Sequence, residues 1–80
     1  MKAAVTVMLK EGVLDPQGRA IEHALHTLGF SDVSDVRAGK IIVLALAAET
    51  AEQARAQADA MAKRLLANPV IERYEVEVLP

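Results

Sequence analysis

The chain has 80 residues, a formal net charge of −2 and no cysteine, and these values exclude several classes of protein. The length predicts a single domain over residues 1–80 with a thin core, because a chain this short hides only about 60% of its surface on folding. Without cysteine it forms neither a disulfide nor a cysteine-based metal or redox site. An acidic chain with two aromatic residues also lacks the basic face and the stacking platform that nucleic-acid binding needs.

Membrane and targeting segments are not expected either. The longest apolar runs, such as residues 41–48, are too short to cross a bilayer, and no basic segment precedes an apolar one with a cleavage site. We therefore expect a cytoplasmic protein that makes no membrane contact.

The first half of the chain predicts a strand followed by a helix. Residues 2–9 alternate with period two and include β-branched side chains, which is typical of a β-strand. Asp15 and Pro16 then indicate a helix start, since the aspartate caps unpaired N–H groups and the proline has no N–H to leave unpaired. The apolar residues of this helix form one stripe, and Gly29 predicts its end.

The second half predicts a hairpin, a helix and a last strand. Residues 33–38 and 40–46 are two extended runs separated by Gly39, a pattern that favours a β-hairpin. The Thr-x-x-Gln pattern that begins at Thr50 predicts a helix that runs to about residue 67. Its predicted buried stripe consists of Ala51, Ala54, Ala58, Met61, Ala62, Leu65 and Leu66. Residues 71–78 alternate again as a strand does.

This order of elements, β-α-β-β-α-β, predicts an α+β fold of the two-layer ferredoxin-like type. Such a fold has a four-stranded antiparallel sheet with both helices on one face. The run at residues 41–46 is apolar on both faces, whereas two helices cover only one. We therefore expect the sheet to associate with a second copy of the chain through Met8, Ile42, Leu44 and Leu46.

No pattern in the sequence predicts an active site. His23 and His26 are spaced like metal ligands on a helix, but they lie on its polar face and no third ligand is near in sequence. A helix-capping role accounts for the aspartate at position 15, so Asp15 is not needed as a catalytic carboxylate. The chain contains no Ser/His/Asp arrangement of the kind found in catalytic triads, and it contains no glycine-rich loop that would bind phosphate. We predict no catalytic residue, cofactor site or metal site in this chain.

Three other features suit a protein-docking module. The loop at residues 10–18 contains two glycines and the Asp15-Pro16 pair, which define one loop-to-helix shape. Two cations, Arg37 and Lys40, flank Gly39. Small side chains on the polar face of the second helix allow another backbone to approach closely. These are Ala56 and Ala60.

Three segments resemble the PurS family, the small subunit of phosphoribosylformylglycinamidine (FGAM) synthase. They are residues 9–18 (LKEGVLDPQG), 33–40 (VSDVRAGK) and 65–74 (LLANPVIERY), and the resemblance extends over essentially the whole chain. The matched positions are Lys10, Gly12, Asp15, Pro16, Gly18, Arg37, Gly39, Lys40, Asn68 and Tyr74.

The resemblance implies a role in purine biosynthesis. The family has no catalytic residues of its own. It dimerises and joins a glutaminase subunit, PurQ, to a synthetase subunit, PurL, which uses ATP and Mg²⁺. The residues that we expect at the partner interface are Lys10, Gly12, Asp15, Arg37, Gly39, Lys40, Ala56, Ala60 and Tyr74.

Two other functions stay open at this point. Ferredoxin-like regulatory domains bind amino acids at dimer interfaces, and the loop at residues 10–18 suits such a pocket. A small enzyme of the acylphosphatase type shares the topology, but its chemistry needs an arginine in the first loop, and residues 10–18 contain none.

Overall fold

The chain folds into a three-stranded antiparallel sheet with two helices. A computed structural model describes all residues from Met1 to Pro80. The sheet order is β2-β1-β3, so the first strand is central. The elements in chain order are β1 (Lys2–Leu9), α1 (Pro16–Thr27), β2 (Gly39–Ala45), α2 (Ala51–Met61), which continues into a π-helical turn at Ala62–Leu66, and β3 (Glu72–Leu79).

The core lies between one face of the sheet and α2. Val5 stands opposite Ile42 on β2 and Val76 on β3, and side chains that are directly opposite share a face of the sheet. The fully buried residues are Ala3, Val5 and Val7 of β1 together with Ala54, Ala58 and Ala62. Because the helix contributes only alanines to this set, the core is thin and the helix backbone lies close to the sheet.

The predicted fourth strand at residues 33–38 does not form, and the predicted hairpin around Gly39 is also wrong. Polar groups of this segment bind side chains instead of a neighbouring strand. His26 Nε2 donates to the Val33 carbonyl oxygen at 2.8 Å, and the Ala38 N–H donates to Asp15 Oδ2 at 2.8 Å. Asp35, with φ of 52°, interrupts the extended backbone.

Helix α1 does not lie on the sheet, so the prediction of both helices on one face is wrong. Only α2 packs extensively on the strands, where it covers β3 and β1. Asp15 binds Ala38, the residue before β2, and α1 therefore begins at the end of the sheet. The molecule is elongated, 49 × 27 × 14 Å, with a radius of gyration of 15.8 Å, whereas a compact chain of this length has about 12 Å.

Three of the side chains predicted for self-association lie on the face of β2 that meets the core. Ile42, Leu44 and Leu46 are partly buried and pack against the core, because the register with β1 places them beside Val5 and Ala3. Their alternates are the exposed ones: Ile41 is 66% exposed and Val43 is 59% exposed. Of the four residues predicted for self-association, only Met8 lies on the outer face, since it alternates with the buried residues of β1.

Both helix starts are confirmed. Asp15 accepts a hydrogen bond from the Gly18 N–H, and Thr50 accepts one from the Gln53 N–H. The Gln53 side chain in turn accepts from the Glu49 N–H at 3.0 Å, one residue before the position that a capping box uses. Neither helix combines the length and the apolar character that crossing a bilayer requires.

Candidate functional site

The loop between β1 and α1 is organised around the carboxylate of Asp15. This side chain is only 5% exposed. Its Oδ1 accepts from the Gly18 N–H and its Oδ2 accepts from the Ala38 N–H, both at 2.8 Å. These two hydrogen bonds hold the pKa of the Asp15 carboxyl below its ordinary value. Asp15 is therefore ionised at neutral pH and joins three segments of the chain at one point.

Lys10 joins the same loop to two further segments. Its ammonium group donates to the Pro69 carbonyl oxygen at 2.8 Å, and its N–H donates to the Ile71 carbonyl oxygen at 2.8 Å. Its own carbonyl oxygen accepts from Arg37 Nη2 at 3.1 Å and from the Val13 N–H at 3.2 Å. Lys10 and Arg37 thus hold the shape of the loop from within the chain.

Two glycines in this region have no room for a side chain. A Cβ on Gly18 would overlap the Val36 carbonyl oxygen, and a Cβ on Gly39 would overlap the Met8 sulfur. Gly12 is different: space around it is open, but its φ of +83° is a conformation that other residues rarely adopt. Together these three glycines allow the chain segments to approach closely and to turn.

The predicted cationic pair does not form one cluster at a hairpin tip. Arg37 is half-buried and binds the backbone of Lys10. Lys40 is exposed on β2, where it stands opposite Val7. Of the charged residues predicted for the partner interface, Lys40 is therefore the one whose side chain points into solvent without an internal hydrogen bond.

Tyr74 connects β3 to α2 through a hydrogen bond. Its hydroxyl donates to Asp59 Oδ1 at 2.6 Å, and Asp59 Oδ2 pairs with the Lys63 ammonium at 3.1 Å. The hydrogen bond from Tyr74, followed by that from Lys63, holds the pKa of Asp59 below its ordinary value. The same contacts with Asp59 raise the pKa of Tyr74 and of Lys63. The sequence gives a weak indication of this cluster, because Asp59 and Lys63 are four residues apart and side chains at that spacing meet on the surface of a helix.

The exposed face of α2 presents the two predicted alanines. Ala56 lies in a shallow groove beside Tyr74, where Arg55 Nη1 donates to the Val76 carbonyl oxygen at 2.9 Å. Ala60 lies in a second, more apolar depression. Both alanines are exposed, so this face admits the close approach of another backbone.

An apolar surface at the end of α2 is not predicted by the sequence. Met61 and Leu65 are predicted in the buried stripe, but Met61 is 40% exposed and Leu65 is 83% exposed. The helix switches to π geometry over Ala62–Leu66, and the Ala67 N–H donates to the Ala62 carbonyl oxygen. A π turn contains an extra residue and rotates the side chains that follow it. Met61, which precedes the π turn, and Leu65, which lies within it, line the same depression as Ala60.

The side chains that could bind a metal ion do not lie together. No group of three or more histidine, cysteine, aspartate or glutamate side chains lies close enough to hold a metal ion. His26 donates to the backbone at Val33 and His23 is exposed. The structure instead has hydrogen bonds that hold the loop between β1 and α1 in one shape, and it has small or apolar side chains that are exposed. Such a surface is suited to contact with another protein.

Comparison with known proteins identifies the family. Residues 2–80 match the family model described as "PurS: Phosphoribosylformylglycinamidine (FGAM) synthase". The PurS subunit of Methanocaldococcus jannaschii is 46% identical over 77 residues, which cover 96% of this chain and 93% of that protein. The PurS subunit of Bacillus subtilis is 47% identical over 81 aligned positions, with 96% and 90% coverage.

The fold matches solved structures of the same family. The crystal structure of Methanocaldococcus jannaschii PurS has a TM-score of 0.85 at 45% identity and covers 95% of this chain and 92% of that one. A chain in the structure of PurLQS from Thermotoga maritima has a TM-score of 0.87 at 38% identity, with 98% and 95% coverage. From its sequence and its fold alike, this chain belongs to the PurS family of phosphoribosylformylglycinamidine synthase subunits.

Proposed function

We propose that this chain is the small, non-catalytic subunit of FGAM synthase, which joins the PurL-type synthetase and the PurQ-type glutaminase in purine biosynthesis. The observation that carries the proposal is the match, over nearly the full length of both chains, to a chain in the PurLQS structure of Thermotoga maritima. Relatives named as PurS subunits support the proposal, and none of them favours the amino-acid-sensing alternative.

The physical basis of such a role is effective concentration. A glutaminase releases ammonia from glutamine, and the synthetase uses that ammonia with ATP and Mg²⁺ to form the amidine. Ammonia that escapes into water is protonated to ammonium, which is not a nucleophile. A subunit that binds both enzymes keeps each near the other without any new chemistry. In this proposal ATP and Mg²⁺ bind to the synthetase subunit and not to this chain.

We propose two roles for the predicted interface residues. Lys10, Asp15, Arg37 and Tyr74 are engaged in hydrogen bonds within the chain, so we propose that they position the surface. The exposed residues, which we propose as direct contacts with the catalytic subunits, are Gly12, Gly39, Lys40, Ala56 and Ala60. The exposed pair on the outer sheet face, Ile41 and Val43, adds an apolar surface for the same purpose.

Reconstitution of the three purified subunits tests the proposal. FGAM formation is measured with glutamine and, separately, with ammonium salts as the nitrogen source, in the presence and absence of this chain. We expect omission of this chain to reduce the glutamine-dependent rate by about 100-fold or more and to leave the ammonia-dependent rate nearly unchanged, because only the first needs two active sites held together. Full glutamine-dependent turnover without this chain would falsify the proposal.

A further inference from the structure

The turn between α2 and β3 has a fixed shape although it lies at the surface. The Asn68 carbonyl oxygen accepts from the N–H groups of Ile71 and Glu72 at 3.2 and 2.7 Å. The Asn68 side chain accepts from the Val70 N–H at 3.0 Å through Oδ1, and the Asn68 N–H donates to Glu72 Oε1 at 2.7 Å. Four hydrogen bonds within five residues therefore hold the turn before any partner binds.

An apolar side chain occupies the tip of this turn. Pro69 and Val70 are its two central residues, and proline suits the first of these positions because its ring fixes φ. The Val70 side chain is 77% exposed. A polar residue at this position would keep the same backbone hydrogen bonds and would interact better with water. The turn therefore does not need valine for its own stability.

Other exposed apolar side chains lie in the same part of the chain. Leu65 is highly exposed in the π turn, and Met61 and Ile71 are also exposed. Single apolar residues on a surface are ordinary, whereas a group of them is typical of a contact site. Met61 and Leu65 line a depression of about 400 Å³, together with Gln57, Ala60 and Arg64. We call Met61, Leu65, Val70 and Ile71 the turn patch.

Two cations border the turn patch. Arg64 lines the depression and is exposed, and neither ion pair of the chain includes it. The Lys10 ammonium reaches the turn from the loop between β1 and α1 and donates to the Pro69 carbonyl oxygen at 2.8 Å. Because an ammonium group has three N–H donors, two of them are left for other acceptors. In a chain whose net charge is −2, this pair of cations is complementary to carboxylates on a partner.

We propose that the turn patch binds an apolar pocket with an acidic rim on a catalytic subunit of the enzyme complex. Val70 and Leu65 enter the pocket, and Arg64 pairs with a carboxylate at the rim. A turn that already has its bound shape loses little conformational entropy on binding, so the hydrogen bonds of Asn68 contribute to affinity. The inference rests on the proposed function and extends the contact surface beyond Ala60 to the end of α2 and the turn.

A charged substitution at the tip of the turn tests the contact. The purified synthetase and glutaminase subunits are titrated, separately and together, into the fluorescently labelled chain. We expect Val70→Asp to raise the dissociation constant by about 100-fold or more, because an apolar pocket disfavours an unpaired charge. Ala47→Asp is the matched control: it adds the same charge at an exposed position near the start of α2, and we expect wild-type affinity. Equal dissociation constants for the two variants would overturn the proposal.

Salt dependence tests the acidic rim independently. Arg64→Gln removes the charge and keeps a good helix former. We expect its dissociation constant to be about tenfold higher than that of the wild type at low salt and to change less as salt is raised, since salt screens an ion pair at a rim. Arg19→Gln, at an exposed arginine of α1, is the control and should keep the wild-type salt dependence. A wild-type affinity and salt dependence in Arg64→Gln would overturn the proposal.

Failure of this inference is distinguishable from failure of the proposed function. A wild-type chain that binds neither catalytic subunit would refute the proposed function and the turn contact with it. A wild-type chain that binds them with the same affinity as Val70→Asp would refute the turn contact alone. Sedimentation without partners is a further check: a changed oligomeric state of Val70→Asp would assign the turn patch to contact between copies of this chain and overturn the proposal. Circular dichroism verifies that each variant is folded.

Discussion

The Asp15 carboxylate accepts a hydrogen bond from the backbone N–H of Ala38 at 2.8 Å, across 23 residues of sequence. The other oxygen of the same carboxylate caps α1 through the Gly18 N–H. One side chain therefore determines both where α1 begins and where the chain enters β2. This junction connects α1 and the segment that follows it to the sheet.

Replacement of Asp15 by alanine removes both hydrogen bonds and leaves the buried N–H of Gly18 and the partly buried N–H of Ala38 without these partners. We expect Asp15→Ala to lower the melting temperature by about 5 °C or more, since loss of a helix cap alone has an effect of that order in a small domain. Thermal unfolding followed by circular dichroism measures the change. Asp32→Ala is the matched control, because Asp32 is an exposed aspartate in the segment between α1 and β2. Equal losses in the two variants would show that Asp15 has no special role.

Acid should destabilise the fold through Asp15 and Asp59. Both carboxyl groups have a pKa below the ordinary value of 3.8 in the folded chain. Their contribution to stability is therefore fully present above that value and is lost as the pH falls through the lower pKa values of the folded state. We expect a melting temperature that falls steeply below about pH 4. In Asp15→Asn the fall should be shallower, and an unchanged slope would argue against this origin.

The hydrogen bond between Tyr74 and Asp59 can be removed without disturbing the packing of the ring. Because that hydrogen bond is the main cause of the lowered pKa of Asp59, we expect Tyr74→Phe to raise the pKa of Asp59 toward 3.8. A pH titration followed by NMR of the Asp59 carboxyl signal measures this shift, and the signal of Asp15 serves as the internal control. We also expect the melting temperature to fall by about 5 °C. An unmoved Asp59 titration would refute the contact.

Larger side chains on the exposed face of α2 should weaken complex assembly while leaving the fold intact. Ala60→Gln keeps a good helix former at an exposed position, so we expect an unchanged melting temperature. We expect affinity for the catalytic subunits to fall by about tenfold, because the new side chain prevents close approach of the partner backbone. Ala51→Gln, at an exposed alanine in the first turn of α2, is the control. Equal binding by the two variants would remove Ala60 from the interface.

The residues predicted for the partner interface differ in how far the sequence indicates their contacts within the chain. Ala56 and Ala60 lie on the exposed face of α2 as the helical period predicts. Lys10 and Tyr74 were also predicted to face a partner, but their polar groups bind Pro69 and Asp59 of the same chain. Lys10 and Pro69 are 59 residues apart, and no local pattern indicates a partner at that distance.

The identity of the helices and strands was determined by the sequence itself, because capping, turn chemistry and alternation depend on neighbours within a few residues. Asp15, Thr50 and the three strands that form are all predicted in this way. Three features were decided only by the tertiary structure: the absence of a fourth strand, the face of β2 that meets the core, and the position of α1 beyond the sheet. Each depends on contacts between distant segments, namely the pairing of β1 with β2 and the hydrogen bond from Ala38 to Asp15, and such contacts have no signature in local periodicity.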